Sequence, residues 1–196
     1  MELIFIRHGQ GLHNTNIPNR LNVVHPSLTK KGREQVASLR NAFSFCEDDL
    51  FIVSPTVRTI ETANILASGL LHPQKYISPL VGPRMYPLPV DPITHEVKCD
   101  WIYPLEEIQA RHSDFNLLDT DDLSLWTLGI NTIADTQFSI LGRRMLSFMQ
   151  QKVAGTSRAF IIAHDGTITN YRMLLGEQGL TRADFLGEAG WYRVEV

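Results

Sequence analysis

Leu3-Ile4-Phe5-Ile6-Arg7-His8-Gly9-Gln10-Gly11-Leu12-His13-Asn14 passes abruptly from an apolar run to a cluster of polar groups. Leu3 to Ile6 suit a strand covered on both faces. Arg7 and His8 then fall at its carboxyl end, the edge of an open α/β sheet where ligands bind. Gly9 and Gly11 keep side chains out of the way and let a bound group approach the backbone. Alone, Arg7 and His8 could equally be a solvated strand end.

Two further segments argue against that. Phe51, Ile52 and Val53 form a second apolar run that ends in Ser54-Pro55-Thr56-Val57-Arg58, with a helical pattern after it. Arg58 is therefore expected in the first turn of a helix at a strand's carboxyl end. Ala159 to Ala163 form a third run, ending in His164-Asp165-Gly166-Thr167. Three buried strands thus each deliver a cation or an imidazole to the same edge of one sheet.

In this pattern the chain resembles the histidine phosphatase superfamily, the phosphoglycerate mutase-like group of mutases, small phosphomonoesterases, acid phosphatases and phytases. The likeness runs through Arg7-His8-Gly9-Gln10, Asn14, Ser27-Leu-Thr-x-x-Gly32, Ser54 through Arg58 to Thr62-Ala63, and His164. It spans the chain in the family's order, which makes it more specific than one short motif. The resemblance implies a three-layer α/β/α sandwich with a mainly parallel central sheet.

The 196 residues suit one domain, 1–196, with a sizeable core. A hydrophobic content of 43% and a net charge of -3 carry no basic excess that would suggest nucleic acid. The chain opens directly into a strand rather than a secretory signal, and no run approaches a membrane span, so a cytoplasmic protein with no membrane partner is expected. Cys46 and Cys99 are too few for a disulfide framework, and no Cys/His spacing resembles a zinc site.

Along the chain, Thr29 reads as an N-cap and Val36, Leu39 and Phe43 as the apolar stripe of a first helix. Ile60, Ala63, Leu66 and Leu70 mark a second, on which Glu61 could orient Arg58 or simply face solvent. Tyr76 to Leu80 suggest a short strand. Residues 82–135 form an expected substrate-selecting insertion, because loops on a rigid sheet are where related folds diverge. Within it, Phe115 to Leu118 are too weak a strand to make the acidic run Asp119 to Asp122 an aspartyl phosphatase loop. Phe138, Leu141, Met145 and Phe148 mark a third helix, Thr167 to Leu175 a fourth, and Trp191 to Val196 a closing strand with Trp191 as a core anchor.

The residues suffice for phosphate-ester chemistry. Arg7 and Arg58 can present permanently charged forks to phosphoryl oxygens. One histidine can attack phosphorus in line to form a phosphohistidine that water hydrolyses. By resemblance that nucleophile is His8, and His164 would add charge against the equatorial oxygens. Phosphate raises a histidine's pKa and the arginines lower it, so protonation is not fixed by sequence. A small phosphorylated substrate and no metal or other cofactor are implied. Asn14 stands where the family holds the phosphoryl group, though a turn-forming Asn fits as well.

The chain departs from the mutase branch at the proton donor. From Thr62 through Val90 there is no Asp or Glu, so the glutamate expected near Gly82-Pro83-Arg84-Met85 is missing. Asp165 is the first substitute, by likeness to the His-Asp pair of the acid phosphatase branch, with an N-cap role as the plain alternative. Asp100 is the second; Glu106 and Glu107 come after it. Arg84 could bind a second substrate anion, extend the phosphate clamp, or pair structurally with Asp91 or Asp100. The reading preferred is a metal-independent phosphomonoesterase acting on small phosphate esters through phospho-His8. Mutase-type phosphoryl transfer and a non-catalytic phosphate-ester-binding protein are the alternatives.

Overall fold

The three apolar runs become strands β1 (Glu2–Arg7), β2 (Leu50–Val53) and β5 (Arg158–Ala163). In the computed structural model, which describes residues 1–91, 97–118, 122–152 and 158–196, three more join them: β3 (Gln74–Ile77), β4 (Asn116–Leu117) and β6 (Trp191–Glu195). The sheet order is β4-β3-β2-β5-β1-β6, parallel throughout except for β6, which closes the edge antiparallel to β1.

Both sheet faces are covered, which is why the central strands read as unbroken apolar runs. Alternate residues serve opposite layers. Ile4, Ile6, Phe51, Val53, Phe160 and Ile162 pack with Val36 and Leu39 of α1 (Lys30–Leu39) and with Ile60, Ala63 and Leu66 of α2 (Val57–Leu66). On the other face Leu3, Phe5, Leu50, Ile52 and Ile161 pack with Phe138, Met145 and Met149 of α5 (Asp135–Lys152) and Ile168 and Tyr171 of α6 (Asp165–Leu174). Each such fully buried large side chain contributes about 1.5–3 kcal/mol over leaving it exposed. The result is the expected three-layer arrangement. Between β3 and α5 come α3 (Leu105–Arg111) and the short α4 (Leu125–Leu128).

Local signals mostly hold. Thr29 caps α1, its hydroxyl accepting from the Gly32 N–H at 3.0 Å, a bond worth about 1 kcal/mol. Asn116 and Leu117 form a two-residue edge strand by pairing with Tyr76 and Ile77, in keeping with the weak strand signal of this stretch. Two expectations change. Trp191 is not a core anchor: it lies on the edge strand β6, is 43% exposed, and rests edge-on against Phe43. The last helix begins at Asp165, not near Thr167. Residues 119–121 of the acidic run and 92–96 at the end of the Pro-rich stretch lie outside the described residues.

Candidate active site

Parallel register decides which residues meet. Val53 lies beside Ile162 and Arg7 beside Ala163, so β2, β5 and β1 end together. The Ser54 N–H continues the ladder to Ile162 O at 3.1 Å, and the His8 N–H to Ala163 O at 3.2 Å. Ser54, His8 and His164 therefore follow three adjacent strands at one edge, and Arg58 enters from the first turn of α2.

His8 is 2% exposed. Its Nδ1 is 2.7 Å from the Gly9 carbonyl, which can only accept, so Nδ1 carries the ring proton. Nε2 is left with its lone pair and accepts from Arg58 Nε at 3.1 Å. Arg58, 1% exposed, also donates Nη1–H to Cys99 O at 2.8 Å and Nη2–H to His164 Nδ1 at 3.1 Å. That contact puts the His164 proton on Nε2, which donates to Ser54 Oγ at 2.8 Å. The two rings stand edge to face with centroids 5.2 Å apart. Arg7 joins from the end of β1: Nη1 donates to Leu186 O at 2.5 Å and Nη2 pairs with Asp165 at 3.0 Å, while its buried Nε–H has no partner.

Burial first, and the guanidinium of Arg58 second, hold the pKa of His8 and of His164 well below the usual 6.5. Both rings are therefore neutral in the free protein.

A third histidine, His13, joins the cluster without a motif to mark it. It is 8% exposed, its ring lies 5.5 Å from that of His8, and its buried Nδ1 has no partner. Burial, then Arg58 and Arg7, lower its pKa to about 3. The signal was present in Gly11. A Cβ there would come within 2.7 Å of the His13 ring, so this glycine makes room for the third histidine. Gly9 likewise meets a packing demand: a Cβ would lie 2.4 Å from Gly32 O and 2.8 Å from Val36 Cγ2. Gly32 is the reciprocal partner, its own absent Cβ facing Gln10 O at 2.1 Å. This explains the spacing from Arg7-His8-Gly9 to the Ser27–Gly32 motif: α1 is pressed against the loop that follows the nucleophile candidate.

Asn14 accepts from the Gly11 N–H through Oδ1 at 3.0 Å, so its oxygen serves the turn. Glu61 does not orient Arg58; it accepts from the Leu28 N–H at 2.7 Å and pairs with Arg33 at 2.6 Å. Arg84 is not in the cluster. Its Nε donates to Asn170 Oδ1 at 3.1 Å, Nη1 to Ile130 O and Ile133 O at 3.1 and 2.8 Å, and Nη2 to Asp135 at 2.5 Å, with Phe138 beneath the guanidinium. Its partner is Asp135, neither Asp91 nor Asp100, and a fork so occupied is a structural tie between the insertion, α5 and α6.

Two carboxylates border the cluster. Asp165 Oδ1 accepts from the Gly166 N–H at 2.7 Å, and Oδ2 faces Arg7. Asp100 ends a 3-10 turn at Lys98–Asp100; Oδ1 is 3.5 Å from Arg58 Nη2, and Oδ2 is 3.3 Å from Asn131 Nδ2. Desolvation raises the Asp100 pKa against the pull of Arg58. Glu107 pairs with Arg111, and Glu106 is exposed. A cleft of about 320 Å³ lies between Trp101, Pro104, Thr127 and Asn131, and one of about 340 Å³ between Tyr86, Pro89, Arg182 and Phe185. Asp100 lines both, and Asp165 lines the second. Among the described residues, no group of three His, Cys, Asp or Glu side chains is arranged to hold a metal ion, and no helix is long and apolar enough to cross a membrane.

A family model described as histidine phosphatase superfamily (branch 1) matches residues 3–79. No curated protein matches the sequence. Among solved structures, the alpha-ribazole phosphatase from Shigella flexneri aligns at 17% identity and TM-score 0.60, over 100% of this chain and 91% of that one. The ecdysone phosphate phosphatase from Bombix mori, in complex with tungstate, aligns at 15% identity and TM-score 0.63, over 100% and 89%. The mycobacterial glucosyl-3-phosphoglycerate phosphatase aligns at 16% identity and TM-score 0.58, over 99% and 92%. Residues 3–79 thus carry the sequence pattern of the histidine phosphatase superfamily, and the chain as a whole carries that superfamily's fold.

Proposed function

We propose that this protein is a phosphomonoesterase that hydrolyses small phosphate esters through a phosphohistidine on His8. The observation that carries the reading is the state of His8: a neutral imidazole with its proton held by Gly9 O and its Nε2 lone pair among the donors of Arg58. An unprotonated ring nitrogen beside a permanent cation is what in-line attack on a phosphate dianion requires. Arg7, with a buried Nε–H lacking a partner, and Arg58 would hold the phosphoryl oxygens. His164, oriented by Ser54, would gain a proton as the dianion binds and stabilise the equatorial charge. Asn14 would add its amide to that clamp. The residues that form the clamp already supply positive charge, so no cation is needed. The phosphatases named among the structural neighbours support the class of reaction.

The test is hydrolysis of p-nitrophenyl phosphate in the presence of a chelator, with rapid acid and alkaline quenching of the reacting protein. Wild type should turn over and yield an acid-labile, alkali-stable phosphoprotein. His8→Ala should abolish both, by about 10⁴-fold or more in kcat, the scale seen when the nucleophile of a concerted set is removed. Turnover that survives His8→Ala would defeat the reading.

A further inference from the structure

The hydrolase reading leaves the departing oxygen in need of a proton, and two carboxylates border the cluster. They differ in what their oxygens do. Asp165 has both oxygens taken by short contacts, one from the Gly166 N–H at 2.7 Å and one from Arg7 at 3.0 Å. A carboxyl group held on both sides by donors has no oxygen from which to hand over a proton. Asp100 has long contacts instead: Oδ1 lies 3.5 Å from Arg58 Nη2 and 3.9 Å from Cys99 Sγ, and Oδ2 lies 3.3 Å from Asn131 Nδ2. It also lines both clefts, so a leaving group in either one would meet it. The Arg58 guanidinium touches His8 Nε2 through Nε and Asp100 through Nη2, which sets the acid across one planar group from the attacking nitrogen.

We propose that Asp100 protonates the leaving oxygen, and that Asp165 is a positioning residue that holds Arg7; this rests on the hydrolase reading above. In the first step His8 Nε2 forms the N–P bond, the P–O ester bond breaks, and the Asp100 carboxyl proton goes to the departing alkoxide. In the second, water attacks phosphorus and the N–P bond breaks. The water's proton goes to the Asp100 carboxylate, and inorganic phosphate leaves. The groups that face Asp100 are Arg58 of α2, Cys99 beside it in the chain, Asn131, and Asp165 of α6. Desolvation, the largest influence, and Asp165 favour its protonated form, and Arg58, Asn131 and Cys99 oppose it. Cys99 stays a neutral thiol because burial pushes it up to about 12.

Removing a general acid is felt most when the leaving group is poor. The experiment compares kcat/KM for p-nitrophenyl phosphate and for glycerol phosphate in wild type, Asp100→Asn and Asp165→Asn, with inorganic phosphate as competitive inhibitor. Asp100→Asn should lose about 10²–10³-fold on glycerol phosphate, much less on the nitrophenyl ester, and the alkaline fall of the wild-type profile. Phosphate inhibition by this variant should stay near wild type, which also shows that it folds. Asp165→Asn should weaken phosphate inhibition and raise KM while keeping the wild-type ratio between the two esters. An equal loss on both esters in Asp100→Asn, or a leaving-group-dependent loss in Asp165→Asn instead, would overturn the assignment. Wild type inactive on every ester would remove the hydrolase reading and this one with it.

Discussion

Arg58 and Arg84 are both buried arginines that each donate four hydrogen bonds, yet they belong to different parts of the molecule. Arg58 stands on α2 among imidazoles, with two of its contacts on ring nitrogens that a phosphoryl group could replace. Arg84 is bound to two carbonyls, an amide and a carboxylate that tie three segments together. Charge and burial alone do not distinguish a ligand-binding arginine from a structural one; the identity of the acceptors does.

That contrast is open to measurement. Arg58→Lys keeps the charge but removes the fork that reaches His8, Cys99 and His164 at once, so kcat/KM on p-nitrophenyl phosphate should fall about 10²–10³-fold. If it were nearly silent, Arg58 would be structural too. Arg84→Met should cost about 3 kcal/mol of stability in urea unfolding, because it strands buried acceptors at Ile130, Ile133 and Asn170. Its folded fraction should retain kcat/KM on both a small aryl ester and a polyanionic ester. A selective loss on the polyanion would return Arg84 to substrate recognition. Gly9→Ala should destabilise by about 1–3 kcal/mol, since the new methyl meets the Gly32 carbonyl, which cannot turn away as a flexible side chain could.

The free protein should also respond to pH. His8, His13 and His164 all have folded pKa values below the unfolded one near 6.5, so unfolding takes up protons in acid. Stability should therefore fall as pH drops below about 6.5, by up to about 1.4 kcal/mol per pH unit for each ring. Saturating inorganic phosphate should flatten that slope. An unchanged urea midpoint between about pH 7 and pH 5 would contradict the buried neutral cluster.

What the sequence disclosed follows from the same physics. Strands covered on both faces must be apolar throughout, so β1, β2 and β5 announced themselves, and with them the placement of His8, Arg58 and His164 at one edge. Residues positioned by pairing or packing left little trace. Asn116 and Leu117 needed β3 as a template before they were a strand. For His13, only the glycine two positions earlier carries a trace of its burial. Asp100 reaches Arg58 from a segment with no periodicity, and no spacing rule links it to a strand end. Arg84 stood near a family landmark, and that nearness suggested a role its acceptors do not support.

The bond from His8 Nδ1 to Gly9 O reaches beyond geometry. A tautomer fixed by a neighbouring Asp or Asn would be lost with one codon change. Here the acceptor is a peptide oxygen, which every amino acid supplies. Substitution can move that oxygen, through the packing of Gly9 on Gly32, but cannot delete it. The proton inventory of His8 is thereby insulated from the genetic code, and only a shift of the chain itself can turn the lone pair away.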